Sequence, residues 1–138
     1  MSKTGKHSKN NKFSIAQRMR SFRYAFQGMA SLFRYEHNAR IHLAILVAVI
    51  AAGILLKISL ADWMAILIVS GLVFISECFN TAIENLSDII AGQPNEYIRR
   101  AKDVAAAGVL LSAIIAVAVG LMVFIPAILK LIQLRAHL

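Results

Sequence analysis

The sequence predicts an all-α membrane protein, with one amphipathic helix in the membrane interface followed by three transmembrane helices. The chain of 138 residues is 59% hydrophobic and only 16% charged, and its mean hydropathy is +0.68. Its apolar residues form three long runs, and its basic residues are concentrated before the first of them. The alternative, a soluble bundle of buried helices, is disfavoured because too little polar surface remains to cover it.

The organisation follows from where these runs begin and end. A basic, disordered tip is expected over residues 1–12, and a single integral-membrane domain over residues 13–138. The transmembrane helices are predicted at about 41–58, 63–90 and 104–132. Each is close to the roughly 20 mainly apolar residues that a helix needs to cross a bilayer.

Two prolines mark expected irregularities. Pro94 lies between Gly92 and Asn95, and this cluster of turn residues predicts that the second transmembrane helix ends near Ile90. Pro126 lies inside the third apolar run, where it should kink the helix or mark its last turn.

An amphipathic helix is predicted over about residues 13–35. Its apolar residues recur at spacings of 4, 3, 4, 3 and 4, which gives one stripe: Ile15, Met19, Phe22, Phe26, Met29 and Phe33. Three arginines lie mostly off this stripe. The pattern is typical of a helix in the membrane interface, and packing on a partner protein is the alternative.

The formal net charge of +8 is located in residues 1–40, which contain one acid, Glu36. Since basic residues are retained on the cytoplasmic side of membranes, we expect the N-terminus in the cytoplasm. Anionic lipids of the inner leaflet are the expected partners of this charge. Nucleic acid is not expected as a partner, because the charge is attached to a membrane domain.

The segment ECFNTAIENLSD interrupts the second apolar run with polar residues that share one side of a helix. At 100° per residue, Glu77, Asn80, Glu84 and Asp88 fall within an arc of about 80° and a length of about 16 Å. We call these four residues the polar face. Ionised acids in hydrocarbon cost a few kcal/mol each and repel one another unless a cation or protons neutralise them. The polar face therefore indicates a divalent cation site, with hydrogen bonding between helices as the alternative.

Charged residues of the other two predicted transmembrane helices can converge on the polar face. Glu36 and Arg40 are four residues apart before the first, and Lys102 and Asp103 precede the third. Carboxylates beside basic groups, without a thiol or a metal-type histidine pair, favour a Mg²⁺–phosphate site over zinc or iron.

Neither the phosphate-binding motif G-x-x-x-x-G-K-[ST] nor G-x-G-x-x-G occurs, so side chains on helices would have to bind any ATP. His37 and His42 are interpreted as interfacial polar residues. A seam of small residues at spacings of 4, 3 and 4 predicts close packing against the second transmembrane helix and oligomerisation: Ala101, Ala105, Gly108 and Ser112.

ECFNTAIENLSD followed by RRAKDVAAAGVL resembles the signature of the prokaryotic diacylglycerol kinase family, and FRYAFQG and EHNARIH are similar to its N-terminal elements. The resemblance covers about residues 18–125. It implies a small homotrimeric kinase of the bacterial inner membrane, with active sites shared between protomers and facing the cytoplasm. The implied reaction transfers the γ-phosphate of ATP to the primary hydroxyl of undecaprenol or diacylglycerol, for cell-envelope lipid or phospholipid metabolism.

The resemblance also implies roles for individual residues. Glu77 is similar to the family's catalytic base, and Glu36 and Glu84 to the ligands of the Mg²⁺ that accompanies ATP. Contacts to ATP are implied for Tyr24, Glu36, Asn80, Glu84, Lys102 and Asp103, and contacts to the lipid for Arg40 and Glu77.

Two questions stay open at this point. The stretch FRYEHNARIHL is more similar to the undecaprenol-phosphorylating branch, so undecaprenol is favoured narrowly over diacylglycerol. The alternative from another class is a non-enzymatic scaffold or a cation-conducting oligomer, in which the polar face would line a cation path.

Overall fold

The computed structural model describes residues 14–90, 92 and 95–136. These residues form four helices and no strand: α1 Ile15–Tyr35, α2 His37–Leu56, α3 Leu60–Ile90 and α4 Glu96–Ala136. The predicted all-α architecture of one N-terminal helix and three long apolar helices is confirmed. The predicted tip at residues 1–12 lies outside the described residues.

Three of the helices, α2, α3 and the greater part of α4, are long and apolar enough to cross a membrane. The 20 residues of α2 extend about 30 Å at 1.5 Å per residue, which equals the thickness of the hydrocarbon core. The 31 residues of α3 and the 41 of α4 extend about 46 Å and 62 Å. Both must therefore project beyond the hydrocarbon or tilt within it.

Glu36 alone separates α1 from α2. Its backbone is extended, with φ −92° and ψ 120°, and its N–H donates to the Leu32 carbonyl at 2.9 Å. The chain thus leaves helical geometry for a single residue between the amphipathic helix and the first apolar one. This residue is one of the predicted metal ligands.

The α2–α3 turn is closed by Lys57, whose φ of 50° lies in the left-handed region. The N–H groups of Lys57 and Ile58 return to carbonyls of the last turn of α2, which satisfies the end of that helix. Within the same turn, the Trp63 ring lies so close to Gly53 that a Cβ atom there would stand 2.7 Å from it. The first two apolar helices therefore approach closely at this end.

The opposite turn begins where α3 ends at Ile90, as the sequence predicts. Asn95 then starts α4, because its Oδ1 accepts a 2.8 Å hydrogen bond from the Tyr97 N–H. At the far end, α4 continues past Pro126 to Ala136, so this proline does not mark the last turn of the helix.

The most extensive helix contact is between α3 and α4, and α1 contacts both α2 and α3. One such contact is the edge-to-face pair of Phe33 and Phe74, with ring centroids 5.7 Å apart. The buried apolar side chains are few: Leu32, Ala39, Ile66, Val69, Val73 and Val123. Most large apolar side chains are exposed, including every member of the α1 stripe except Phe33, as suits a chain whose helices face lipid or other copies.

The predicted small-residue seam on α4 is divided between two environments. Ser112 is buried, whereas Ala101 and Gly108 are exposed. A Cβ atom at Gly108 would meet no atom of another described element within 4 Å. The seam thus packs within the chain at Ser112 and faces outward at Ala101 and Gly108.

Candidate active site

Burial decreases along the polar face of α3. Glu77 is 2% exposed and Asn80 is 7% exposed, while the side chain of Asp88 is 69% exposed. Glu84, between them, is half-buried. The polar face therefore runs from a buried carboxylate to a carboxylate at the surface.

The two most buried members of the polar face each carry an acceptor without a donor. Within the described residues, Oε1 of Glu77 and Oδ1 of Asn80 have no hydrogen-bond partner. Leaving a buried acceptor unpaired costs roughly 1–3 kcal/mol, and proteins avoid it almost everywhere. Two such atoms one helical turn apart indicate a place for a donor or a cation that the chain does not itself supply.

Three ionisable groups lie within electrostatic range of Glu77. They are the carboxyl groups of Glu36 and Glu84 and the imidazole of His42. The break between α1 and α2 thus brings Glu36 to the same region as the polar face of α3. Of the predicted convergence of acids from all three apolar helices, the single chain brings Glu36 to the acids of α3, and the contact shown for Asp103 of α4 is with Arg99.

Helix α4 joins this region through Lys102. Its Nζ is 2.9 Å from Oδ1 of Asp88, and its ammonium group also lies within electrostatic range of Glu84. Asp88, for which the sequence suggested no specific role, therefore holds the cation that was predicted to contact the nucleotide.

Two other predicted site residues, Asp103 and Tyr24, contact arginines. Asp103 pairs with Arg99 at 3.0 Å, and Tyr24 lies under the Arg23 guanidinium, 5.8 Å from it. Arg40 is exposed one turn after Glu36. Across residues 14–90 and 95–136, no side-chain hydrogen bond or ion pair joins Tyr24, Arg40 or Asp103 to the acids around Glu77. Their roles remain predictions.

The donor set fits Mg²⁺ better than a metal that needs a full protein cage. Among the residues that the structure describes, no group of three or more His, Cys, Asp or Glu is placed to hold a metal by itself. Mg²⁺ is usually held by one or two carboxylates, with water and phosphate oxygens completing its shell. Glu36 and Glu84, beside the unpaired oxygens of Glu77 and Asn80, match that pattern.

His42 is the residue that sequence reasoning missed. It was interpreted as an interfacial polar residue, but it faces inward, within electrostatic range of Glu77. A signal was available in the sequence, because His42 is the last polar residue before the long apolar run of α2. Its proximity to Glu77 nevertheless depends on how α2 and α3 pack, which the sequence pattern does not give.

The fold and these residues define a small helical membrane protein with a buried carboxylate site at one end of its apolar helices. The sequence model of the prokaryotic diacylglycerol kinase family matches residues 23–124, and the chain belongs to this family. One relative is the undecaprenol kinase of Bacillus subtilis, 34% identical over 119 residues, covering 86% of this chain and 97% of that protein. Another is the diacylglycerol kinase of Synechocystis, 43% identical over 112 residues, covering 80% of this chain and 64% of that protein.

Membership of this family decides between the classes that the sequence left open. The protein is a membrane-embedded lipid kinase, a phosphotransferase that acts on an alcohol group and uses a nucleotide as co-substrate. No observation favours the non-enzymatic scaffold or the cation-conducting oligomer.

Proposed function

We propose that this protein transfers the γ-phosphate of ATP to the primary hydroxyl of a membrane lipid alcohol in a Mg²⁺-dependent reaction. The observation that carries the proposal is Glu77, the largest fully buried side chain, with one carboxylate oxygen lacking a partner. A buried carboxylate surrounded by acids is unfavourable for a purely structural site. It is well suited to accept a proton from a substrate.

Glu77 acts as the general base in this proposal. Its carboxylate takes the proton of the primary hydroxyl while the hydroxyl oxygen attacks the γ-phosphorus. The new oxygen–phosphorus bond forms as the bond from the γ-phosphorus to the β–γ bridging oxygen breaks, and ADP leaves with that oxygen. His42, within electrostatic range of Glu77, helps to hold the negative charge at this position.

The nucleotide side of the site is assigned to residues of all three apolar helices and their ends. Glu36 and Glu84 would hold Mg²⁺, which when bound supplies positive charge that neutralises the phosphates. Lys102 adds a further cation next to Glu84. Asn80 would support this shell, and Tyr24 and Asp103 would contact the nucleotide.

The lipid is proposed to be undecaprenol rather than diacylglycerol, by a narrow margin. The support is the stretch FRYEHNARIHL and the nearly full-length match to a protein named undecaprenol kinase. The match to a protein named diacylglycerol kinase has the higher identity over a similar length. Arg40, exposed one turn after Glu36, is assigned to the lipid substrate.

We further propose that the protein works as a homotrimer in the bacterial inner membrane, with residues 13–138 as one domain and the site facing the cytoplasm. The N-terminal concentration of basic residues supports this orientation and an attraction to anionic inner-leaflet lipids. The small number of buried side chains supports association with further copies. Product formation would serve cell-envelope lipid or phospholipid metabolism.

Transfer of labelled phosphate to each lipid tests the proposal directly. Purified protein in mixed micelles is given labelled ATP, with undecaprenol or diacylglycerol, and with Mg²⁺ or with a chelator. We expect Mg²⁺-dependent labelling of both or of one lipid, with undecaprenol the faster. Faster labelling of diacylglycerol would reverse the substrate preference, and no labelling of either would overturn the ATP-dependent reaction.

A further inference from the structure

An open cleft of about 660 Å³ lies at the end of the molecule opposite to Glu77. One wall is the α2–α3 turn, with lining residues between Leu55 and Asp62, and the other is α4 between Met122 and Leu134. Asp62 and Glu77 are 15 residues apart on α3, a rise of about 22 Å. The cleft therefore lies at the other membrane boundary from the polar face, and its volume falls in the roughly 300–1,000 Å³ of small-molecule sites.

The register of α3 and α4 explains why the cleft forms there. The two helices run antiparallel, and Lys102 of α4 pairs with Asp88 of α3. Counting 28 residues from 102 to 130 and 28 from 88 back to 60 brings Lys130 level with Leu60, at the turn. The family model matches residues 23–124, so Lys130 and the last turns of this wall lie outside the matched segment. Membership of the family does not explain this feature of the chain.

Two ammonium groups line the cleft without a carboxylate partner. Lys57 lies on the turn and Lys130 on α4. Across residues 14–90 and 95–136, neither takes part in an ion pair or a side-chain hydrogen bond. Oδ2 of Asp62, the acid in the lining, accepts hydrogen bonds from the N–H and the Oγ of Ser59 at 3.1 Å and 2.7 Å. The cleft thus carries two positive charges against one negative charge, and that carboxylate already caps the start of α3.

The rest of the lining is apolar. Nine of the thirteen lining residues are aliphatic residues, proline or methionine, and three of the largest are exposed: Leu55, Met122 and Leu134. A free inorganic anion would use only the polar part of such a cleft. An amphiphile would use both parts, since its phosphate can lie between the two ammonium groups, which bind phosphate as point charges, while its hydrocarbon covers the apolar wall. The lining therefore matches an anionic phospholipid better than a free phosphate ion.

We infer that this cleft binds the phosphate headgroup of an anionic phospholipid at the membrane surface opposite to the polar face. Lys57 and Lys130 hold the phosphate from two sides, and one acyl chain lies along α4. The inference goes beyond the proposed function and holds whichever lipid alcohol is phosphorylated. Because α2 and α4 have little direct contact, a lipid between the turn and α4 joins parts of the chain that otherwise meet mainly through α3. Binding should therefore stabilise the folded protein.

Trp63 provides a reporter next to the cleft. It is the single tryptophan of the chain, and its ring meets the side chain of Ile58, which lines the cleft, at Gly53. A lipid with bromine atoms in its acyl chain quenches indole fluorescence at short range. The protein in phosphatidylcholine vesicles is therefore titrated with brominated phosphatidylglycerol or with brominated phosphatidylcholine. The ratio of the two mole fractions at half-maximal quenching measures the headgroup preference.

The wild type should prefer phosphatidylglycerol about tenfold, because each lysine contributes a factor of about five and Asp62 opposes them. The decisive variant exchanges two side chains of α4, Lys130→Ile with Ile132→Lys. Ile132 is exposed and does not line the cleft, so the exchange keeps the composition and the depth of the charge but moves it to the other side of the helix. The preference should fall about fivefold in this exchange variant.

Asp62→Asn tests the same site with the opposite sign. It removes the charge that opposes the two lysines and keeps a side chain that can cap a helix, so the preference should rise about twofold. A fall in preference would contradict the inference. Because the chain composition is otherwise unchanged, this variant carries the test if the exchange variant does not fold.

Thermal unfolding with and without phosphatidylglycerol is the second measurement. The Tm should rise with this lipid in the wild type and should not change in the exchange variant. Turnover of the kinase should stay within twofold in both variants, since the cleft lies far from Glu77, and it also reports correct folding.

The outcomes that contradict the inference are distinct. No preference in the wild type, or equal preference in the exchange variant, would show only a general attraction to charge at this depth. Reversal of the quenching by millimolar inorganic phosphate would assign the cleft to a free ion. A change of oligomeric state in the exchange variant would assign it to another copy of the chain. Failure of phosphate transfer to any lipid alcohol would overturn the proposed function and leave this inference standing.

Discussion

At the scale of single residues, the enclosed pair of Glu77 and Asn80 is the most informative feature of the chain. Both side chains have an acceptor oxygen without a donor, and Glu77 has two further carboxylates nearby. Such an arrangement lowers stability, and proteins retain it where it serves a function. We therefore expect activity and stability to respond in opposite directions at this position.

The first prediction concerns Glu77→Gln. Removing the charge abolishes proton acceptance, so turnover should fall by about 10²–10⁴-fold. It also relieves the repulsion between the carboxylates, so the free energy of unfolding should rise by about 1 kcal/mol. ATP binding should remain largely intact, because Glu77 is not assigned to the nucleotide. Phosphate transfer, thermal unfolding in detergent and calorimetric titration with Mg-ATP measure the three quantities.

Asp62→Asn is the control for this prediction. It removes one carboxylate from the same helix at the opposite end, where Asp62 bonds to Ser59. Turnover should stay within twofold. If Glu77→Gln instead lost ATP binding, its assignment as the base would be wrong.

The second prediction concerns the pair formed by Asp88 and Lys102. The two side chains are exposed to solvent, which screens their ion pair, so stability should hardly change when the pair is broken. In Asp88→Asn the ammonium group is free for phosphate, and Mg-ATP should bind about two- to fivefold more tightly. Lys102→Gln should weaken binding at least tenfold. Weaker binding by Asp88→Asn in calorimetry would show that Asp88 itself serves the nucleotide.

These two pairs show how far sequence reasoning reaches at this scale. The shared face of Glu77 and Asn80 follows from 100° per residue within one helix, and the structure agrees with it. The contact between Asp88 and Lys102 joins different helices, fourteen residues apart, and depends on how α3 and α4 pack. No periodicity in the sequence contains that information. The proximity of His42 to Glu77 was not predicted for the same reason, since it also joins two helices.

At the scale of helices, the sequence predicted which helices exist better than where they begin. Apolar runs identify the part of a helix that suits hydrocarbon, whereas the helix itself continues through polar residues. For this reason α4 begins at Glu96, well before the apolar run at 104, and α2 begins at His37. The single-residue break at Glu36 was not predicted, since no Gly or Pro marks it.

The third prediction concerns the close approach of α2 and α3. A Cβ atom at Gly53 would lie 2.7 Å from the Trp63 ring, so Gly53→Ala should lower the free energy of unfolding by about 1–3 kcal/mol through overpacking. Thermal unfolding in detergent measures the change. Gly71→Ala is the control, because no atom of another described element lies within 4 Å of that position. It should be neutral or stabilising, since alanine favours the helix.

A compensating change makes this prediction specific. Trp63→Leu in the Gly53→Ala background should recover part of the lost stability, because the smaller side chain leaves room for the added methyl group. Equal melting temperatures for Gly53→Ala and Gly71→Ala would contradict the close contact.

At the scale of the whole molecule, the length of α3 places the site relative to the membrane. From Leu60 to Glu77 the helix rises about 26 Å, slightly less than a hydrocarbon core of about 30 Å. If α3 enters the hydrocarbon near Leu60, Glu77 lies just inside its other boundary, and Glu84 and Asp88 lie in the polar interface. A lipid hydroxyl and a dissolved nucleotide can meet at that depth.

The fourth prediction tests whether several copies build one site. Tyr24 is predicted to contact the nucleotide, but in the single chain the contact shown for its ring is with the neighbouring Arg23. If Tyr24 serves a neighbouring copy, inactive Tyr24→Ala and Glu77→Gln variants should regain activity when they are co-assembled. Random mixing of equal amounts should restore about a quarter of the wild-type rate.

Recovery in this mixing experiment has a clear control. Tyr24→Ala mixed with itself, under the same unfolding and reassembly, should stay inactive. If the mixed variants also stayed inactive while still forming oligomers, Tyr24 and Glu77 would act within one chain.

The position of Glu36 has a consequence for how the bilayer itself influences the enzyme. The residue is the only joint between a helix predicted to follow the membrane surface and a helix that crosses it. A thinner or thicker bilayer changes the tilt of the crossing helix, and the angle at this joint must change with it. We expect the rate of phosphate transfer to pass through a maximum as the acyl chains of the host lipid are lengthened. The mechanics of the surrounding membrane would then be one of the quantities that set the catalytic rate.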